Sequence, residues 1–195
     1  MIAIIKYNAG NACSVQNALS RLNCSSVITD DPEQIRKAER VIFPGVGEAS
    51  TAMRHLRARQ LDQLIPSLRQ PVLGICLGLQ LMCKGSEEGR TPCLGIFDTE
   101  VRKFPAYDLV PQMGWNSITH FSGALFKGVR AAEDVYFVHA YYAELCEQAI
   151  ATCNYILPFS AALQRDNFYA TQFHPEKSGK IGTTMISNFL RVCKK

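Results

Sequence analysis

Short apolar runs recur through the first half of the chain, and a stretch of helical character follows each of them. Ile2-Ala3-Ile4-Ile5 reads as a buried strand, and residues 14–22 as a helix capped by Ser14. Val27-Ile28-Thr29 is a second strand. Asp31-Pro32 opens a second helix, because an aspartate cap satisfies free N–H groups and proline presets φ at the first helical position. Val41-Ile42-Phe43 is a third strand, ending at Pro44-Gly45-Val46-Gly47. A helical stretch spans about residues 48–65, broken near Gln60. Residues 71–75 form a fourth strand, and a helix over about 77–83 follows. Strands alternating with helices predict parallel pairing with helices on both faces of the sheet.

The second half loses this rhythm. Gly95-Ile96-Phe97 and residues 115–118, 136–139, 150–153 and 168–173 are short, β-rich and separated by turns. A last helix runs over about 182–192, with Met185, Ile186, Phe189 and Leu190 on one apolar face. No glycine- and serine-rich linker divides the halves, so residues 1–195 read as one α/β domain. Its open sheet is parallel in the N-terminal half and joined to a β-rich second half.

Composition narrows the function classes. With 195 residues, 47% of them hydrophobic and 19% charged, the chain can bury a full core, which excludes a disordered tail or a fibre. The formal charge of +4 is mild. Arg54, Arg57 and Arg59 recur at helical spacing without interleaved aromatics, which describes a solvated helix face rather than a nucleic-acid surface. The apolar run at the N-terminus is too short for a signal peptide and has no basic residues before it, so it reads as a core strand. No apolar stretch has membrane-spanning length. Eight cysteines without a C-x-x-C pair, and four dispersed histidines, give no metal-site spacing. Cys13, Cys24, Cys83, Cys93, Cys146, Cys153 and Cys193 read as reduced, small buried hydrophobes.

Cys76 differs from them. Gly74-Ile75-Cys76-Leu77-Gly78 lies between a predicted strand and a predicted helix, in the pattern glycine-x-nucleophile-x-glycine. A sharp turn there strains the central residue, and flanking glycines remove side chains that would clash. The thiol is then held over the carboxyl edge of the sheet and beside a helix N-terminus, which favours the thiolate. A buried cysteine in a glycine-containing turn fits the same five residues. A nucleophilic thiol needs a base, and the base an orienting group. His174-Pro175-Glu176 offers both, since residues two apart on an extended segment point the same way. Alone, the tripeptide fits a surface loop better, and the elbow cysteine elsewhere in the chain reverses that balance. Gly45, Val46 and Gly47 let backbone N–H groups approach a ligand and, with the N–H of Leu77, stabilise an oxyanion; an ordinary strand-to-helix turn is the alternative. His139 reads as a satisfied structural histidine, and His55 and His120 as surface residues.

Together these residues resemble the class I glutamine amidotransferases from end to end of the chain. The resemblance rests on residues 74–81, Ser86-Glu87-Glu88, Pro111-Gln112-Met113-Gly114-Trp115-Asn116 and residues 171–179. It implies a flavodoxin-like open sheet and a Cys76–His174–Glu176 triad that releases ammonia from L-glutamine without a cofactor. It also implies that Gln80 and Glu88 hold the substrate and that Gly45 to Gly47 form the oxyanion strand. The Gln112 to Asn116 stretch and Lys177-Ser178-Gly179 are similar to the branch that serves histidine biosynthesis. There the ammonia passes to a (β/α)8-barrel cyclase subunit, and Trp115 and Lys177 match positions near that partner. Other class I glutaminases, a cysteine peptidase and a non-catalytic flavodoxin-like module are the competing readings. The chain departs from the family at Gln112, at Ala140 and in the turn of residues 7–11; none of these is a triad residue.

Overall fold

Alternate residues of the first strand face two separate cores. In β1 (Ile2–Ile5), Ala3 and Ile5 join one buried cluster and Ile2 and Ile4 the other, so the strand is covered on both sides. The computed structural model describes residues 1–7, 11–130 and 133–192. After β1 come α1 (Ala12–Arg21), β2 (Ser26–Thr29), α2 (Pro32–Lys37), β3 (Arg40–Phe43), α3 (Ala49–Ala58), α4 (Leu61–Ser67), β4 (Val72–Ile75) and α5 (Leu77–Met82). The remaining elements are β5 (Gly85–Ser86), β6 (Thr91–Pro92), β7 (Glu100–Lys103), β8 (Gln112–Thr119), β9 (Asp134–His139), β10 (Tyr141–Ala143), β11 (Ala149–Asn154), β12 (Pro158–Arg165), β13 (Phe168–Thr171) and α6 (Gly179–Arg191).

Nine strands form one sheet in the order β2-β1-β3-β4-β13-β12-β11-β8-β9. The first five are parallel to their neighbours, which is the 2-1-3-4-5 order of flavodoxin-like sheets with β13 in fifth place. From β13 outward the pairing is antiparallel. A second sheet, β10-β7-β5-β6, has four strands. The parallel order puts the carboxyl ends of β3, β4 and β13 side by side, and these precede the three segments singled out above.

The cap at Asp31 is as expected: its carboxylate accepts from the Glu33 N–H at 2.9 Å, with Pro32 at the first helical position. The break near Gln60 is also present, where φ is +57° between α3 and α4. Other expectations need correction. Helix α1 starts before Ser14, after Asn11 with φ +81°. Gly95-Ile96-Phe97 is not a strand. Its N–H groups bond to the Met82 and Cys83 carbonyls, so the segment is an apolar strap across the end of α5, with Phe97 buried. Strands β7, β10 and β12 carry no simple alternation that marks them in the sequence. Helix α6 begins at Gly179 instead of Gly182 and buries Met185, Ile186 and Phe189, while Leu190 is half-buried. Cys83 and Cys153 are buried as expected, but Cys24, Cys93 and Cys146 only partly, and Cys13 is exposed. Cys193 lies outside the described residues.

Candidate active site

The elbow owes its shape to two close approaches. A Cβ on Gly78 would lie 1.9 Å from the Phe43 carbonyl oxygen, and one on Gly74 would lie 2.9 Å from Met82 Sδ and 3.0 Å from the Gly78 carbonyl carbon. Glycine at both positions therefore lets α5 fold back against β3 and β4. Cys76 between them takes φ +54° and ψ −107°, outside the regions an L-residue prefers. Its N–H donates to the Thr171 carbonyl at 2.7 Å, tying the turn to the end of β13. The thiol is nearly buried and points to the Val138 carbonyl at 3.8 Å.

His174 follows β13 and is wholly buried. Its N–H donates to the Tyr136 carbonyl at 2.9 Å, and Ser178 Oγ donates to its carbonyl at 2.7 Å, so its backbone is fixed from both sides. The ring Nδ1 donates to Glu176 Oε1 at 2.8 Å, with neither side chain reached by solvent. The structure thus brings together the base and carboxylate expected from spacing two residues apart. Nδ1 is committed to Glu176, while Nε2 is buried without a hydrogen-bond partner among the described residues. Burial would lower the His174 pKa, but interaction with the Cys76 thiol and with Glu176 outweighs it and raises the value to about 10. The ring is thus suited to hold a proton taken from Cys76. Asn11 was not anticipated: its side-chain amide donates to Glu176 Oε1 and lies 3.3 Å from His174 Nδ1. No pattern in the sequence pairs a turn asparagine with a residue so distant in the chain.

Beside Cys76 lies a cleft of ≈ 290 Å³ whose walls include Val46, Gly47, Leu77, Gln80, Glu88 and Tyr141. A larger hollow of ≈ 700 Å³ between α1 and α6 touches Glu176 from behind but does not reach Cys76, so the smaller cleft is the one with chemistry. Gln80 spends its NH2 group on the Tyr141 carbonyl at 2.9 Å and on Gln172 Oε1 at 3.1 Å. Glu88 accepts from the Ala49 N–H at 2.7 Å, and partial burial raises its pKa more than that bond lowers it. Gly47 has φ +120°, and a Cβ on Gly45 would meet the Tyr7 hydroxyl at 1.9 Å, so both glycines are required for different reasons. Tyr7 donates to the Pro44 carbonyl at 2.6 Å. The Leu77 N–H is not free; it donates to the Gly45 carbonyl at 3.3 Å.

On the outer side, Trp115 packs edge-on against Tyr136 at 5.9 Å, and the Lys177 ammonium sits 5.9 Å from the same ring. Trp115 and Met113 remain exposed on β8. His139 is satisfied as expected: Nδ1 faces the Tyr141 carbonyl at 2.7 Å and Nε2 faces the Gln112 side chain at 2.9 Å. Burial pushes its pKa down to about 4, so the ring is neutral. Neutral imidazole with Nδ1–H pointing at a carbonyl must accept at Nε2, so the Gln112 NH2 group is the end that faces it. Among the described residues, no group of three or more metal-ligating side chains is placed to hold an ion, and no helix is long and apolar enough to cross a membrane.

Comparison with known proteins agrees with this geometry. Residues 4–193 match the Glutamine amidotransferase class-I family. The imidazole glycerol phosphate synthase subunit HisH of Bacteroides fragilis is 57% identical, covering 98% of this chain and 99% of its own. The same subunit of Yersinia pseudotuberculosis is 44% identical over 98% and 99%. Among solved structures, a glutamine amidotransferase superposes with a TM-score of 0.76 at 19% identity, covering 97% of this chain and 96% of its own. The glutaminase domain of Trypanosoma brucei CTPS, solved with bound acivicin, gives 0.65 at 16% identity, over 100% and 96%. The solved structures share the fold, whereas the sequence relatives align along nearly the whole chain at 44–57% identity; this chain belongs to the class-I glutamine amidotransferase family.

Proposed function

We propose that Cys76, His174 and Glu176 form the catalytic triad and that the cleft beside Cys76 holds glutamine. The observation that carries this reading is the buried Nε2 of His174, without a hydrogen-bond partner among the described residues, on a ring whose other nitrogen is held by Glu176. The chain is the glutamine-hydrolysing subunit of imidazole glycerol phosphate synthase, and it works with a cyclase subunit. His174 takes the proton of Cys76, and the thiolate attacks the glutamine carboxamide carbon. The same proton then leaves with ammonia, and water hydrolyses the γ-glutamyl thioester. Gln80 keeps its carbonyl oxygen for the substrate, because its NH2 group is used within the protein, and Glu88 offers a carboxylate to the substrate ammonium. The N–H groups of Val46 and Leu77 stabilise the oxyanion. For Leu77 to serve, the Gly45 carbonyl that now accepts its N–H has to turn away.

The partner is a (β/α)8-barrel cyclase that meets the surface of Trp115 and Lys177 in the cytoplasm. There it uses the ammonia to make imidazole glycerol phosphate and aminoimidazole carboxamide ribotide. Residues 1–195 act as one domain, a reading supported by the single sheet that joins both halves of the chain. The test is Cys76→Ser, assayed for glutamine hydrolysis with the cyclase and its ligand present. The expected result is a loss of several orders of magnitude. Wild-type-like turnover by that variant would overturn the assignment.

A further inference from the structure

Gln172, just beyond β13, is wholly buried. A buried carboxamide must find partners for both its ends, and here the neighbours dictate which end is which. Gln80 Nε2 lies 2.9 Å from the Tyr141 carbonyl, which can only accept, so that atom is the NH2 nitrogen. The same nitrogen lies 3.1 Å from one terminal atom of Gln172, which must therefore be its oxygen. The other terminal atom is a donor, and it reaches Cys76 Sγ at 3.7 Å. Backbone bonds keep it there. The Gln172 N–H donates to the Ala161 carbonyl at 2.8 Å, while the Cys76 N–H holds the adjoining Thr171 carbonyl.

We infer that Gln172 is a further catalytic residue, whose side-chain N–H stabilises the Cys76 thiolate both when it forms and when it leaves the thioester. The inference rests on the reading of Cys76 as nucleophile. As a thiol, Cys76 donates to the Val138 carbonyl. When the S–H bond breaks and the proton moves to His174 Nε2, the electron pair stays on sulfur, still facing that carbonyl oxygen. An anion beside the negative end of a carbonyl dipole is disfavoured, and the Gln172 N–H supplies the opposing donor. A hydrogen bond to a charged acceptor is roughly twice as strong as one to a neutral acceptor, so the contact favours the thiolate over the thiol. In the second step water adds to the thioester carbon, the C–S bond breaks, and the electron pair returns to sulfur opposite the same N–H. Because Gln80 orients Gln172 and also lines the cleft, a ligand bound at Gln80 touches the nucleophile through one intervening side chain.

The titratable groups around Cys76 are His174, Tyr7, His139 at the end of β9, and Glu88 and Tyr141 in the cleft walls; Gln172→Met alters none of them. Methionine keeps the length and bulk but removes the donor. The measurement is the rate of Cys76 alkylation by iodoacetamide across pH, read by mass spectrometry on the Cys76 peptide so that the other cysteines do not contribute. In Gln172→Met the profile moves to higher pH and the neutral-pH rate falls roughly tenfold or more. Turnover with the cyclase falls in kcat. An unmoved profile in a variant with wild-type near-UV circular dichroism overturns the inference. A second measurement needs no substitution at Gln172: its side-chain amide proton resonance in the wild type shifts downfield as Cys76 deprotonates, and does not shift in Cys76→Ala. A resonance indifferent to Cys76 overturns the inference even if Gln172→Met fails to fold. Neither readout requires turnover, so this result is separable from that of Cys76→Ser, which tests the glutaminase reading itself.

Discussion

The parallel and antiparallel halves of the nine-stranded sheet are both well packed, but they hold backbone strain and charge differently. In the antiparallel half, the non-glycine residues with positive φ, His120 and Asp166, sit in turns. In the parallel half Cys76 has φ +54° with ψ −107°, and it is nearly buried. Parallel strands β3, β4 and β13 end at one edge, so three segments distant in sequence converge there. Antiparallel strands end at alternate edges and cannot gather their termini in this way; that half supplies the cleft wall at Val138 and His139 and the exposed Trp115 surface. Each half also buries one histidine, with opposite outcomes. His174 is raised to about 10 by Cys76 and Glu176 against the effect of burial, and His139 is lowered to about 4 by burial. Strain and charge are concentrated where strand ends converge.

The sharpest way to break this contrast is to remove each histidine in turn. His174→Ala should lower glutamine hydrolysis about a thousandfold or more, because both deprotonation of Cys76 and protonation of ammonia depend on it. A steady-state assay in the complex with the cyclase checks this, and a loss of less than tenfold would argue that another group is the base. Glycine substitutions probe the halves next. Gly78→Ala drives a Cβ into the Phe43 carbonyl and should cost about 3 kcal/mol or more. Gly114→Ala on β8 meets no atom within 4 Å and pays only for φ +130°, about 1–2 kcal/mol. Urea unfolding of the two variants should rank them in that order.

The two histidines should also give pH profiles of opposite sign. His174 binds its proton more tightly in the folded state than the ordinary 6.5, so its stabilisation is complete below pH 6.5 and is lost as pH rises through about 10. His139 binds its proton less tightly when folded, so stability is complete above pH 6.5 and declines as pH falls towards about 4. Differences in urea midpoint between wild type and His174→Gln should therefore vary on the alkaline side, and those for His139→Gln on the acid side. The reverse pattern would refute these protonation states. The smallest effect on folding belongs to Trp115→Ala, within about 0.5 kcal/mol because the side chain is half exposed. Its affinity for the cyclase should nonetheless fall about tenfold by calorimetry, as expected of an exposed aromatic anchor.

The strand–helix alternation, the Asp31 cap and the break at Gln60 were legible in the sequence because each depends on neighbours along the chain. The pairing of His174 with Glu176 was legible for the same reason: extended backbone carries the geometry from one residue to the next but one. Gly95-Ile96-Phe97 was misread because its apolar residues pack under α5 without pairing to any strand, and an apolar triplet alone does not distinguish the two. Strands β7 and β10 went unmarked because they are held by each other across a long stretch of chain, whereas β12, paired to its neighbours β11 and β13, went unmarked because its own residues carry no alternation. Asn11 lies in a turn whose composition shows nothing of Glu176, and Gln172, within residues 171–179, takes its role from burial and from partners distant in the chain.

By itself, then, the sequence determined the parallel half, the elbow at Cys76 and the local base–carboxylate pair, all set by interactions within a few residues. Only the tertiary structure decided which donor faces the sulfur, that Asn11 holds Glu176, that the Leu77 N–H is engaged by Gly45, and that burial keeps His139 neutral while Cys76 and Glu176 raise the proton affinity of His174. These depend on desolvation and on contacts between strand ends that meet only when β3, β4 and β13 align. Burial makes each unpaired donor or charge costly, and the fold determines which partner is near enough to satisfy it.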